Sequence, residues 1–250
     1  MSQTARQPLS MDLIEAIKVD VASYDVTVTG GTGAVITAVT KSGTNELSGS
    51  VYGLYRENGW SGEGETGVRP DLFDTQTTYG FTVGGPILKD TLFFFANYEK
   101  YIGTDEFVGN TGRGPIGSEA TNIVNVTQDQ VNRIIEIAED TWGIDAGTLA
   151  LPSYDNETEE YGVKIDWNIN ENHRADFRYS KSEQNSPNLA GFGGGSAAGT
   201  SGTLALTNYH YIRDFDLSTY TAQLFSDWSD NFTTEAKISY RDYSAVRNPL

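Results

Sequence analysis

Cysteine is absent from this 250-residue chain, which excludes a disulfide framework and any thiolate metal site. Long apolar runs are absent too, and nothing approaches the ~18 consecutive apolar residues of a membrane-spanning helix. Positive charge is scarce: 17 basic residues stand against 34 acidic ones, a formal net charge of -17. Nucleic acid is therefore excluded as a partner, because phosphate contacts need clustered Lys and Arg. The opening "MSQTARQPLSMDLIEAI" lacks the apolar centre of a signal peptide. The protein is then either cytoplasmic or a piece of a longer chain. None of these absences excludes a membrane β-barrel, whose strands alternate apolar and polar residues and average to a polar composition.

Tyrosine and glycine are plentiful, with 14 Tyr, 11 Phe and 27 Gly. That balance suits an all-β protein of many strands, and the length allows one large domain or two smaller ones. Near the start, Met11 to Ile17 reads as a short helix with Ser10 as its N-cap. "IKVDVASYDV" reads as a strand and a turn. "AVITAV", Ala34 to Val39, is apolar on both sides, as in a buried strand, and "TKSGTN", Thr40 to Asn45, is a turn cluster.

Beyond residue 45 a period of two takes over. "GSVYGLYR", "TTYGFTVGG", "LFFFANYEKY", "YGVKIDW", "RADFRYS", "STYTAQLFSDW" and "TTEAKISYR" give about seven strands. The connections alternate in length. Tight ones fall at 86–90, 168–172 and 229–231; long ones at about 57–75, 104–158 and 183–213. The longest holds one helix, Asp129 to Trp142, with a Thr127/Gln130 capping box and Gly143 as its stop. Val131, Ile134, Ile135, Ala138 and Trp142 form its apolar stripe, which we expect to pack under a loop. Residues 102–160 carry twelve acidic residues against Arg113 and Arg133, a net -10. Short turns at one end of the strands and long acidic loops at the other are the pattern of an outer-membrane barrel.

The two faces of each strand agree with this. One face carries Val163, Ile165, Phe177, Ala222, Leu224, Ala236 and Ile238; the other carries Lys164, Asp166, Arg178, Glu235 and Lys237. The first suits lipid and the second a water-filled lumen. Tyr220 and Trp228 lie eight residues apart on the apolar face, about 27 Å of strand at roughly 3.4 Å per residue. A tilt of about 40° brings this to about 21 Å, near the ~25 Å apolar band of such barrels. Leu92, Phe94, Ala96 and Tyr98 then face lipid. Phe93 and Phe95 point inward near the periplasmic end, where something must cover them.

"GGTGAVITAVTKSGTNELSGSVYGLYR", "FTVGGPILKDTLFFFANYE" and "VKIDWNINENHRADFRYS" resemble the TonB-dependent outer-membrane receptors of the Oar-like group. The resemblance runs from about Pro8 to Tyr101 and from about 160 to 245. It implies that residues 1–44 are the C-terminal part of a plug domain and that 45–250 are the N-terminal part of a barrel of about 22 strands. "TKSGTN" would be the tether between them. The implied fold is all-β: a partial antiparallel transmembrane β-barrel, a plug remnant and one loop helix. The implied activity is TonB-dependent active transport in the bacterial outer membrane, with no chemistry on the substrate. Its implied partners are outer-membrane lipid, an extracellular ligand, and the TonB complex through a segment outside this chain.

Candidate sites are few. His173 and His210 are the only histidines and lie far apart, so they read as turn and strand-end residues rather than a zinc site. "AGFGGGSAAGTSGT", 190–203, lacks the Gly-Lys-Ser/Thr ending of a phosphate loop. Asp155, Glu157, Glu159 and Glu160 have the oxygen chemistry for calcium but match no fixed loop motif. No catalytic, cofactor or metal residue is assigned. The acidic loops favour cationic or calcium-bridged ligands. The rival reading is a secreted β-sandwich that binds carbohydrate or acts as an adhesin, with the apolar face as its packed core.

Overall fold

A computed structural model describes residues 13–20, 35–63, 73–105, 113–118, 122–149, 154–188, 204 and 206–249. Seven strands form one antiparallel sheet: β3 (Ser48–Glu57), β4 (Thr75–Leu88), β5 (Leu92–Asp105), β8 (Tyr154–Asn170), β9 (His173–Asn188), β10 (Tyr211–Ser229) and β11 (Phe232–Pro249). Their spatial order is their sequence order, a meander with β3 and β11 at the edges. It is an open section of barrel wall.

Two small sheets stand outside it. β1 (Ile14–Asp20) pairs antiparallel with β2 (Val35–Thr40), and β6 (Arg113–Ile116) pairs parallel with β7 (Asn122–Thr127). The helix expected over Met11–Ile17 is therefore not formed over its described part: Ile14 onward is strand. Five apolar residues in MDLIEAI, next to a good cap, have helix propensity. It is overridden by a six-residue partner that is itself Val-, Ile- and Thr-rich, with Ala16 opposite Val39 and Val19 opposite Ile36. Ser10 lies outside the described residues. β2 is a strand as expected, but it is not fully buried: Val39 is half exposed while Thr40 is buried. With β1 as its one partner among the described residues, the pair lays only part of its surface against the wall.

α1 (Gln128–Trp142) starts and stops where its residues dictate. The Gln130 amide N–H donates to Thr127 Oγ1 at 3.2 Å, and the Thr127 N–H donates to Gln130 Oε1 at 2.9 Å. Gly143 closes the helix in the left-handed region at φ 63°. Its apolar stripe is covered only in part: Val131 is buried, whereas Ile134 and Trp142 are exposed. The expected packing under a loop is thus limited, among the described residues, to its N-terminal turn against the β6–β7 pair.

The tight turns lie at one end of the sheet, as expected. The Asn168 N–H donates to Thr91 O at 2.7 Å, and the Asp227 N–H donates to Asn172 O at 2.8 Å, so the first turn touches the second and the second touches the third. The long connections leave from the opposite end. The strands run farther toward that end than the sequence suggested: β9 continues to Asn188 and β10 begins at Tyr211.

Candidate functional site

Alternation gives each strand two faces, and register aligns them across the wall. One row of direct neighbours runs Phe94, Ile165, Phe177, Ala222, Ile238; the next runs Leu92, Trp167, Ala175, Leu224, Ala236. All of these but Phe94 line one broad apolar trough. Toward the loop end it is bounded by tyrosines. Tyr179, Tyr220 and Tyr240 are direct neighbours, with ring centroids 4.8 and 6.2 Å apart, and Tyr161 stands 6.3 Å from Tyr179. Tyr98 continues the row toward Phe81 at 5.9 Å. Toward the turn end the boundary is Trp167 and Trp228; Trp228 packs edge-on against His173 at 4.9 Å and donates its indole N–H to Thr234 Oγ1 at 2.9 Å.

Beyond the tyrosines the same face becomes charged at once. Lys100 pairs with Glu157 at 3.1 Å, and Lys181 pairs with Asp216 at 3.2 Å and with Glu183. Apolar residues between two aromatic rows, with ion pairs outside one of them, are what a bilayer's core and headgroups select. A β-sandwich would bury this face. Here Val163, Phe177, Leu224 and Ile238 are all exposed by 41–72%. The described residues supply no second sheet to cover it.

The opposite face is polar. Its rows read Phe95, Lys164, Arg178, Thr221, Ser239 and Phe93, Asp166, Asp176, Gln223, Lys237. Opposite charges stand side by side, including Lys164 to Asp166 at 3.0 Å. Near its middle, Ser50 and Thr82 share a hydrogen bond of 2.7 Å, and the Tyr52 hydroxyl donates to Glu99 Oε2 at 2.5 Å. Tyr52 reaches Glu99 because Gly80 lies between them on β4; a Cβ there would meet the Tyr52 hydroxyl at 2.6 Å.

The β1–β2 pair and the segment after it cover part of this polar face. Leu13, Thr40 and Lys41 close over Phe95, Asn97, Lys164 and Arg178 around a cavity of about 50 Å³. Leu13, Thr40, Phe95 and Asn97 are all buried. Phe95, one of the two inward phenylalanines, is thus capped, whereas Phe93 is only half-buried. Lys164 donates to Ser42 Oγ at 2.6 Å. Gly43 crosses where a Cβ would strike the backbone oxygens of Phe94 and Gly85, the latter at 2.8 Å. Asn45 then clasps the β4–β5 turn: its Nδ2 donates to Asp90 Oδ1 at 2.6 Å, and the Asp90 N–H donates to Asn45 Oδ1 at 2.8 Å. Asp90 itself sits in the left-handed region at φ 63°. Residues 41–45 are thereby fixed to the wall at three points.

At the loop end two long connections interlock. The Thr207 N–H donates to Thr148 O at 2.8 Å, the Thr148 N–H donates to Thr207 Oγ1 at 3.0 Å, and Asn208 Nδ2 donates to Asp145 O at 2.8 Å.

The expected single sites fare as follows. His173 and His210 lie at opposite ends of the sheet, as the first residue of β9 and just before β10. Glu160 shares the polar face, while Asp155, Glu157 and Glu159 alternate onto the other. Asp155 accepts from Thr104 at 2.6 Å, and Glu157 is paired with Lys100. No cluster of three metal-ligating side chains occurs among the described residues. The 190–203 stretch lies outside them.

Residues 39–111 match the family model described as an outer membrane beta barrel domain. The chain is also 27% identical over 177 residues to the TonB-dependent transporter Oar of Myxococcus xanthus. Over that stretch the chain resembles this transporter. The aligned part is 68% of this chain and 16% of that relative, so the chain spans a small part of the relative's length. No solved structure matches it. The resemblance to the Oar-like TonB-dependent receptors and the place in the bacterial outer membrane both stand on these two matches, which the aromatic rows and the open antiparallel wall accompany.

Proposed function

We propose that this Oar-like chain is part of a TonB-dependent transporter that carries a ligand inward across the outer membrane. The observation that supports this most is the covered polar face: a charged wall partly closed by a small separate sheet whose exit segment is pinned at Ser42, Gly43 and Asn45. A barrel wall alone would make an open pore. A wall with a fitted internal cover makes a gate that must be moved by work. Residues 1–44 are read as the C-terminal part of the plug and residues 45–250 as the start of the barrel. A cover that moves needs a fixed end, and the three-point attachment supplies one.

In this reading the ligand arrives at the interlocked loop end, and the polar face guides it past the displaced cover. The TonB contact is proposed to lie outside these 250 residues, as the resemblance implies. No group here is proposed to act chemically on the ligand.

Planar-bilayer conductance of the full-length protein tests the reading. The intact protein should be nearly silent, and deletion of residues 13–40 should open a steady water-filled pore. A protein that needs no detergent to stay monomeric, or a conductance unchanged by the deletion, would contradict it.

A further inference from the structure

We propose that the lumen face near the loop end holds an anion site built on Arg213 and Arg247, for a small ligand that carries a carboxylate or phosphate beside hydroxyl or amide groups. This deepens the proposed transport function and rests on its assignment of that face to the lumen.

Arg213 of β10 and Arg247 of β11 are direct register neighbours on the same face as Arg178 and Lys164. Like charges placed directly opposite each other on neighbouring strands repel. In a chain of 34 acidic and 17 basic residues, carboxylates are abundant, yet neither arginine forms an ion pair among the described residues. Their neighbours on this face are Ser186, Phe215 and Ala245, none of them anionic. Both guanidiniums instead flank one ring: Arg213 Cζ lies 5.5 Å and Arg247 Cζ 5.3 Å from the Tyr211 centroid, and Arg213 donates to the Tyr211 hydroxyl at 3.0 Å. The ring orients the pair and leaves most of ten N–H donors for something else.

A second observation is independent of charge. Five buried polar atoms without a partner lie on this face at the same end of the sheet: Arg213 Nε, Asn156 Oδ1, Thr158 Oγ1 and both amide atoms of Gln184. Gln184 is only 4% exposed and Thr158 only 7%. Thr158, Gln184 and Phe215 are successive register neighbours, one step along the strands from Arg213. Native structures rarely leave buried donors and acceptors unpaired, and a cluster of them marks a missing partner. Gln184 offers a donor and an acceptor together, so the missing partner has both, as a hydroxyl or amide does. The arginine fork beside it fits an oxyanion in two-point fashion.

The test uses the full-length protein in detergent micelles, with citrate and inorganic phosphate as probes in isothermal titration calorimetry at low salt. Citrate should bind, more tightly than phosphate because its hydroxyl can reach Gln184, and raised salt should weaken both. Arg213→Gln and Arg247→Gln should each weaken citrate at least tenfold. Gln184→Leu should narrow the gap between citrate and phosphate. Arg213→Lys, which keeps the charge but not the fork, should fall between wild type and Arg213→Gln. Heat-modified gel migration confirms that each variant is folded. Absence of binding to the wild type, or equal binding by wild type and both folded Arg→Gln variants, would overturn the site. The conductance result stands apart: a silent protein opened by the 13–40 deletion but blind to citrate would refute the anion site alone.

Discussion

Leu224→Arg should destabilise the assembled barrel by about 2–4 kcal/mol, and Gln223→Arg by far less. The two residues are adjacent in β10 and point to opposite faces. Leu224 lies midway between Tyr220 and Trp228, four residues from each, which is about 14 Å of strand. A strand tilt of about 40° turns this into about 10 Å of depth from either aromatic row, near the middle of the apolar band. Its direct neighbours are Ala175 and Ala236, so an arginine there meets no counter-charge and cannot easily reach a headgroup. Gln223 sits between Asp176 and Lys237 and already donates to Glu235 Oε1 at 3.1 Å. An arginine at that position finds two carboxylates in water. The assay is reversible guanidinium unfolding of the full-length protein in lipid vesicles, with each variant compared with wild type. Equal costs at the two positions would refute the assignment of the two faces.

Asn45→Ala removes both hydrogen bonds to Asp90 and should lower stability by about 1–2 kcal/mol, seen as a lower temperature of heat-modified gel migration. Asn45→Asp should do worse, since it loses the donor and adds a like charge beside Asp90. Gly80→Ala places a methyl against the Tyr98 carbonyl oxygen and the Tyr52 hydroxyl; it should break the Tyr52–Glu99 hydrogen bond and cost about 1–3 kcal/mol in the same vesicle assay. Thr127→Ala removes the capping box and should cost α1 about 1 kcal/mol, read as faster amide exchange over 128–134 with the barrel's unfolding midpoint unchanged.

Local rules made much of this wall legible. Period two named the faces of β8 to β11, because a half-buried strand cannot hide its alternation. Thr127, Gln130 and Gly143 bounded α1 because capping is a local hydrogen-bond account. Turn residues located the tight connections. What stayed hidden depended on partners distant in sequence. β1 looked helical because β2, which decides its state, lies beyond a 14-residue gap. The strand extensions past the tyrosines were missed because their faces are charged on one side and polar on the other, while backbone pairing continues regardless of side chain. The Asn45–Asp90 clasp and the facing of Arg213 by Arg247 are register facts. Their only signal in sequence is a polar residue in a turn and two arginines in an acidic chain.

Because the chain has no cysteine, single cysteines can be placed on it one at a time. Spin labels at Ile165, Phe177, Ala222 and Ala236 and at Thr221, Gln223, Lys237 and Ser239, in the full-length protein in bilayers, probe the central claim of a wall between lipid and lumen. The first four should be open to dissolved oxygen and closed to a water-soluble nickel relaxant, and the second four should be the reverse. The same accessibility at all eight positions, or no alternation along β10, would contradict it.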